Sequence, residues 1–371
     1  MAYGTVNADV IQTSTSGGIL GAGDASIMKN RIINGDFRVS QYNGTSAATI
    51  TGSGSIYAID RFSSINSITS GTMSVQQSTT APVGFATSFA FTNNAAVTAS
   101  AGQLCRTFQG IEGVNFADLN WGSANAKTVT VSFWVRSSLT GTYAGSITNG
   151  AGNRSYVFTY TISAANTWQQ VLVTIAGDTG GTWIGATNAC AAYLIFDLGS
   201  GSSSQSTAGS WQTSSTYYSA TSSSINWAGT NGATFYITGV QLEVGSSATG
   251  FEYVNYQTSL ANCQRYCQIV LGVANQQSPW VFSASATTDV TGNYQYVVSM
   301  RTSPSLTVIG SSFQLIDAAN NTFTSGTIGL DNTNYNSTRI YSTSTSGLTQ
   351  FRTYWMRSTN ANSYYLFTSE L

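Results

Sequence analysis

The stretch TFYITGVQLEVG, residues 234 to 245, decides the fold class. Apolar and polar residues alternate through most of it, which is typical of a β-strand with one buried face. Similar alternation occurs in TVTVSFWVRSS (128–138), SYVFTYTIS (155–163), WQQVLVTIAG (168–177) and ACAAYLIFDLG (189–199). Gly, Asn and Ser punctuate the chain, and helical periodicity is nearly absent. The sequence therefore predicts an all-β protein built around a β-sandwich or jelly roll.

The segment NRIINGDF (30–37) ends in an Asn-Gly-Asp turn and is predicted to be the first strand of the same domain. We expect it to pair with residues 234–245 in one sheet. The two segments would then open and close a jelly-roll domain over residues 30–256.

The 371 residues exceed the size of most single cores, so more than one folding unit is expected. Residues 1–29 are rich in Gly, Ser and Thr and too short in apolar content for a core, so we expect an arm that docks on another chain. Residues 257–270 form a predicted helical joint, with Leu260, Cys263 and Cys267 on one stripe. Residues 271–371 return to strand alternation and form a smaller β domain.

Charge is scarce in this chain. Asp, Glu, Lys and Arg make up 7% of the residues, with a formal net charge of -1 and no His, against roughly 25% charged residues in ordinary globular proteins. Phosphate recognition needs clustered Lys and Arg, so this composition argues against nucleic acid and anionic membrane surfaces as partners. No apolar run is long enough to insert in a membrane, and no signal peptide is evident at the first residues.

We expect no cofactor. The four cysteines lack zinc-ligand spacing and are interpreted as reduced, buried thiols, with Cys263 and Cys267 side by side on the helix. A structural calcium needs several carboxylates. Asp36 and Glu243 could meet across paired strands, or each could serve a local role at a turn or strand edge. The segment YITGVQLE, which contains Glu243, offers no second carboxylate for such a site.

Several segments occur in an order that resembles a domain of bacteriophage tail-fibre and other virion-appendage proteins. They are NRIINGDFRVSQ, YAIDRF (57–62), QGIEGVNFADLNWG, NTWQQVLVTIAGDTGGTW, GATFYITGVQLEVGSSATGFEY and CQRY (263–266), spread over residues 28–267. The domain also resembles, more distantly, carbohydrate-binding-module jelly rolls. The resemblance implies a virion surface protein that is made in the host cytoplasm, is exposed on the particle and functions in host adhesion.

The leading hypothesis is a non-enzymatic virion structural protein, a trimeric tail fibre that binds host surface polysaccharide. The arm would attach it to another virion protein through Val6, Val10, Ile19 and Leu20. A homotrimer is expected because the arm and the short helix both need partners, and symmetric copies let weak sites act together. A head or capsid decoration fibre is the first alternative, and a tailspike-like polysaccharide depolymerase is the second.

Catalysis is not expected. A Ser-His-Asp triad is impossible without His, and the 14 acidic residues are spread thinly, whereas glycoside hydrolysis needs two converging carboxylates. Asp60, Asp118, Asp178 and Asp197 fall at predicted strand ends or turns. Arg106, Arg136 and Arg154 are expected to pair with local carboxylates rather than to form an anion site.

Neutral glycans are bound by amide and hydroxyl side chains and by aromatic faces, and this sequence is rich in both. The candidate glycan-binding residues are Trp211, Tyr217, Tyr218, Trp227, Tyr335, Tyr354, Tyr364 and Tyr365. For each of them, packing in the core is the competing interpretation. Tyr217 and Tyr218 are neighbours in a polar loop, so one of them is expected to point outward.

Overall fold

The computed structural model describes residues 11–12, 19–20, 29–214, 216–223, 225–343 and 345–371. Over these residues the chain is all-β, which confirms the predicted class. A large jelly-roll sandwich comes first, then a single described α-helix, then a smaller β domain. No helix among the described residues is long and apolar enough to cross a membrane.

Two short strands, β1 (Ile11–Gln12) and β2 (Ile19–Leu20), pair antiparallel ahead of the sandwich. The rest of the predicted arm, including Val6 and Val10, lies outside the described residues, as do the side chains of Ile19 and Leu20.

The large sandwich contains fifteen strands among the described residues. They are β3 (Ala48–Thr51), β4 (Gly54–Ile59), β5 (Phe62–Asn66), β6 (Thr72–Ser78), β7 (Ser88–Ala95), β8 (Cys105–Glu112), β9 (Val129–Ser137), β10 (Gly141–Asn149), β11 (Ser155–Ile162), β12 (Gln169–Ile175), β13 (Cys190–Asp197), β14 (Gln205–Ser206), β15 (Trp211–Gln212), β16 (Ser219–Ala220) and β17 (Thr234–Val244). Short 3₁₀ turns lie at Gly113–Asn115, Ala117–Leu119 and Ser202–Ser204.

Two sheets face each other across the core. One has seven strands in the order β15-β11-β10-β13-β8-β5-β4, and the other has six in the order β12-β9-β17-β7-β6-β3. Phe133 of β9 and Phe196 of β13 meet between the sheets, with ring centroids 5.0 Å apart. Because side chains alternate along a strand, Tyr193, Ile195 and Asp197 point away from this core, to the outer face of the seven-stranded sheet.

All five predicted strands of the sandwich are present, with ends within two residues of those expected. The deciding stretch is β17, which lies between β9 and β7 in the six-stranded sheet. A bulge interrupts its pairing with β9 between Thr238 and Gln241. Gly239 has φ +62°, and an added Cβ would lie 2.6 Å from the Phe85 ring. Glycine suits this position because the positive φ disfavours other residues and because there is no room for a Cβ.

The prediction that residues 30–37 form a strand is wrong. Residues 33–36 form a turn, and the segment reaches β17 by isolated hydrogen bonds. Asn30 uses its side chain as a substitute for backbone, since Nδ2 donates to Val240 O and Oδ1 accepts from Leu242 N. Gly35 O accepts from Val240 N. The two segments are thus neighbours, as predicted, but without a strand ladder.

The helix α1 (Tyr256–Gln264) begins with Asn255, whose side chain accepts from Thr258 N. It is shorter than the predicted joint. Cys267 lies in the next strand, so it does not share a helix face with Cys263 as expected. All four cysteines are free, and Cys190 is the one that is only partly buried. The helix stops early because the chain joins the C-terminal sheet at Cys267.

The C-terminal domain contains β18 (Cys267–Val270), β19 (Phe282–Ala284), β20 (Val290–Gln295), β21 (Ser305–Ile309), β22 (Phe313–Ile316), β23 (Thr322–Thr324), β24 (Thr327–Asp331), β25 (Ser337–Thr343), β26 (Thr353–Ser358) and β27 (Tyr364–Thr368). A three-stranded sheet, β18-β27-β21, and a seven-stranded sheet, β23-β22-β26-β19-β20-β25-β24, enclose its own core.

The end of the chain returns to the large sandwich. The Arg61 guanidinium pairs with Glu370, donates to Gly110 O at 2.6 Å and lies 3.4 Å from the Tyr266 ring centroid. A second link is bidentate, from Arg265 to Glu112, at 2.9 Å for each bond. The side chain of Glu112 is fully buried. Charged contacts therefore fix the C-terminal domain to the sandwich.

Candidate functional site

A groove crosses the outer face of the seven-stranded sheet of the large sandwich and encloses about 300 Å³. We call it the sheet groove. Its lining residues are Arg106, Phe108, Thr148, Asn149, Gly150, Gly152, Tyr193, Ile195, Tyr218 and Leu371. This volume lies at the lower end of the range typical of ligand pockets and suits about one or two sugar rings.

The floor of the groove is apolar and comes from two neighbouring strands. Phe108 of β8 is the cross-strand partner of Ile195 of β13. The Tyr193 ring meets Phe108 edge-on, with centroids 5.7 Å apart. Phe108 and Tyr193 are only half-buried although both lie in the middle of the sheet. This floor can therefore present apolar surface and ring edges to a ligand.

A loop over residues 198–223 forms one wall. Asp197 holds its start, because its carboxylate accepts from Gly199 N and Ser200 N at 3.1 Å each. Burial raises the pKa of Asp197. Tyr217 packs with Ala220 against the sheet residues Ala144 and Val157.

The next residue, Tyr218, turns the other way and lines the groove. Its backbone N–H donates to Ser204 O at 2.9 Å, which fixes the loop at this point. One of these two tyrosines was expected to point outward; both are half-buried, and their side chains lie on opposite sides of the loop. Tyr217 anchors the loop, and Tyr218 is available to a ligand.

Arg106 lies beneath Tyr218, with its guanidinium carbon 3.6 Å from the tyrosine ring centroid and 5.2 Å from that of Phe108. The expected pairing of Arg106 with a carboxylate is not present among the described ion pairs, whereas Arg154 does pair with Asp178. Arg106 Nε is buried and has no hydrogen-bond partner among the described residues. Burial lowers the pKa of Arg106.

Leu371 closes the groove beyond Phe108. A Cβ added at Gly110 would lie 2.8 Å from the Leu371 Cβ, so the missing side chain of Gly110 makes room for Leu371. Tyr57 Oη donates to Leu371 O at 3.1 Å. A residue of the C-terminal segment thus becomes part of a site built on the sandwich.

The other candidate glycan-binding residues of the large sandwich, Trp211 and Trp227, pack within or against its core. Trp227 is fully buried in the main core, so its proposed exposure to glycan is corrected. Trp211 is half-buried, its ring packs on Trp121 at 5.1 Å, and its Nε1 donates to Ala176 O. Burial of a large apolar side chain is favourable, so both tryptophans pack against the core although their sequence neighbours are polar.

The four C-terminal tyrosines also separate by burial. Tyr354 and Tyr365 are 0% exposed and belong to the C-terminal core, so they are not surface platforms. Tyr364 is half-buried at the start of β27. Tyr335 is 54% exposed and remains a candidate for ligand contact. These four residues do not form one site, and none of them lines the sheet groove.

Phe108 and Tyr193 were not predicted from the sequence as ligand-binding residues, and Arg106 was expected to pair with a carboxylate instead. A signal for them was present, since CRTFQGIE (105–112) and CAAYLIFD (190–197) carry large side chains at both alternate sets of positions. A strand with bulky residues on both faces either is buried on both or offers one face to a ligand.

The carboxylates named as strand-end residues are engaged elsewhere. Asp118 pairs with Arg31 at 2.7 Å, and Asp60 accepts from Gln41. Asp36 pairs with Arg38, whereas Glu243 accepts from Thr249 N and Oγ1. Asp36 and Glu243 therefore serve separate partners and do not meet. Groups of three or more potential metal ligands are absent from the described part of the chain.

No family model matches this sequence, and no curated protein matches it. Similar solved structures include the enzymatically active domain of bacteriophage CBA120 tailspike protein 4, at TM-score 0.30 and 15% identity over 59% of this chain. The match spans 22% of that tailspike chain.

A family 11 carbohydrate-binding module from Clostridium thermocellum gives TM-score 0.28 and 9% identity over 57% of this chain and 100% of its own. A xylan-binding domain from Paenibacillus barcinonensis gives 0.26 and 7%, over 56% and 99%. At these scores the functional argument comes from the groove of this chain.

Proposed function

We propose that this chain is a non-enzymatic bacteriophage virion protein, a trimeric tail fibre that binds glycans on the host surface. The sheet groove is the proposed glycan site. The proposal joins two kinds of support, the geometry of the groove and the order of sequence segments that resembles virion-appendage proteins.

The observation that carries glycan binding is the convergence of Phe108, Tyr193 and Tyr218 on one groove beside Arg106. Aromatic rings accept the C–H faces of sugar rings, and a polar side chain among them fixes orientation. Thr148 adds a hydroxyl to the same lining. The rings come from three separate segments, and the sheet and the loop hold them in place before any ligand arrives.

The lining of the groove supports binding rather than hydrolysis. Glycoside cleavage commonly uses two carboxylates about 5 to 10 Å apart. The side chains that line the groove include no Asp or Glu. Asp197, the nearest acidic residue in the strand register, accepts hydrogen bonds from the backbone amides of Gly199 and Ser200 in the loop that follows it.

Attachment to the particle is proposed for residues 1–29, and threefold assembly follows from the need of this segment for a partner. Three copies would present three grooves to one surface, and effective concentration would multiply weak affinities. Light scattering of the purified full chain should give three times the 39.1 kDa of one chain. The mass of a single chain would contradict the trimer.

The glycan function is tested with the purified chain on host cells and extracted host polysaccharide. We expect saturable binding without release of reducing ends. Release of reducing ends would support a depolymerase instead, and no binding would contradict the glycan function. Imaging of a labelled copy on particles should place it on the tail, while label on the head would support a decoration fibre.

A further inference from the structure

We propose that the sheet groove selects acidic glycans, and that Arg106 binds a carboxylate carried by the sugar. This inference rests on the proposed glycan function and names the class of glycan. Three observations support it: the partners of the arginines, the position of Arg106 in the groove, and the placement of nearby carboxylates.

Arg106 differs from the other arginines of the chain. Seven of the eleven pair with a carboxylate among the described residues, namely Arg31, Arg38, Arg61, Arg154, Arg265, Arg339 and Arg352. Arg136, Arg301 and Arg357 donate to carbonyl or amide oxygens. Arg106 has no carboxylate or carbonyl partner among these contacts, and its guanidinium lies against the Tyr218 and Phe108 rings and hydrogen-bonds to the Tyr218 side chain. Its buried Nε has no hydrogen-bond partner among the described residues, a feature that it shares with Arg31, Arg38, Arg61 and Arg357.

A buried N–H without a partner forfeits a hydrogen bond to water, and no carboxylate pairs with Arg106 to offset that loss among the described residues. Guanidinium stays protonated, and its fork of N–H groups matches a carboxylate in geometry. The Tyr218 ring, 3.6 Å from the guanidinium carbon, fixes its plane. A ligand carboxylate that entered the groove would supply the oxygens that Arg106 lacks.

Asp197 is the obvious internal competitor for Arg106, since the two residues are cross-strand partners. However, the Asp197 oxygens accept from the Gly199 and Ser200 amides, and the pair is not among the ion pairs of the described chain. No other carboxylate side chain lines the groove. Asp197 is near enough to act on the Arg106 charge, but no ion pair joins the two among the described residues, so the guanidinium can still take a ligand carboxylate.

The probes are oligosaccharides of galacturonate, mannuronate and glucuronate, and sialyllactose, each with its carboxyl-reduced neutral counterpart. We expect the full chain to bind at least one acidic member about tenfold or more tightly than its reduced form, because a charged hydrogen bond is lost on reduction. Arg106→Gln should abolish this preference, and Arg106→Lys should retain part of it. Arg357→Gln, in the C-terminal domain, is the matched control and should bind like wild type.

The outcomes separate the two proposals. Binding of neutral members with no preference for their acidic forms would overturn the role of Arg106 and leave glycan binding in place. An acidic preference that survives in Arg106→Gln would also overturn it. Failure of every member to bind the wild-type chain would contradict both proposals. Thermal unfolding of the variants within a few degrees of wild type shows that lost binding is not lost folding.

Discussion

Arg61 and Glu370 form an ion pair in which both side chains are buried, 1% and 8% exposed, and 309 positions separate them in the sequence. The pair ties the C-terminal segment to the turn between β4 and β5 of the large sandwich. Burial raises the pKa of Glu370 although Arg61 acts to lower it. The pair therefore acts as a specific link between the domains more than as a source of net stability.

Glu370→Gln should destabilise the protein by about 3 kcal/mol or more, because it leaves the buried Arg61 charge without its partner. Urea unfolding monitored by tryptophan fluorescence measures the change. Asp331→Asn, which breaks the exposed pair with Arg339, is the matched control and should change stability by less than about 1 kcal/mol. Equal effects of the two substitutions would show that the buried link is unimportant.

Stability should also depend on pH through Asp60. Burial raises its pKa to about 6 from the ordinary 3.8, although Gln41 donates to it. A carboxyl with a raised pKa stabilises the folded state most when protonated, so this contribution is lost as pH rises from about 4 to 6. The difference in unfolding free energy between wild type and Asp60→Asn should fall across that window. A flat or rising difference would contradict the assignment.

The position of the glycan site can be tested with two tyrosines. Tyr218→Ala should weaken glycan binding about two- to tenfold, since it removes one wall and the ring that orients Arg106. Tyr335→Ala removes an exposed tyrosine of the C-terminal domain and should leave binding unchanged. Titration calorimetry with a bound oligosaccharide measures both. The opposite pattern would move the site to the C-terminal domain.

The thiols should be unreactive in the native chain. Burial raises the pKa of Cys105, Cys263, Cys267 and Cys190, and the thiolate is the form that reacts. We expect slow alkylation at pH 8, with Cys190 modified first, and four reactive thiols in denaturant without reductant. Fewer than four would indicate a disulfide, and rapid native labelling would contradict the burial.

Removal of residues 1–29 tests the arm. The truncated chain should keep its glycan affinity but fail to join particles, because the proposed attachment segment is gone while the groove is intact. Particle incorporation, followed by immunoblotting of purified virions, is the measurement. Incorporation at the wild-type level would show that attachment lies elsewhere in the chain.

The strands were predictable because alternation of apolar and polar residues is visible in a short stretch of sequence. The strands that contain Phe133 and Phe235 carry apolar residues that are buried in the sandwich core. Residues 30–37 were predicted to be a strand because they resemble one locally. They do lie beside β17, but Asn30 makes the contact with its side chain, and sequence alternation cannot distinguish a side-chain contact from a backbone ladder.

The groove was harder to predict than the fold. Tyr218 could be proposed from its polar loop, but Arg106 and Tyr193 come from separate strands, and only the pairing of β8 with β13 brings them to one groove. Trp227 shows the converse limit, since a loop aromatic can be fully buried. Burial of a single aromatic residue depends on the shape of the whole sandwich, which local sequence does not contain.

The return of the chain end to Arg61 also sets an order of events during synthesis. Arg61 emerges from the ribosome early, yet Glu370 follows only after 308 intervening residues. Long-range contacts of this kind form late, and chains that stop short leave a buried cation unpaired. A chain that lacks residue 370 is therefore expected to be less stable than the full chain, because the buried Arg61 charge loses its carboxylate.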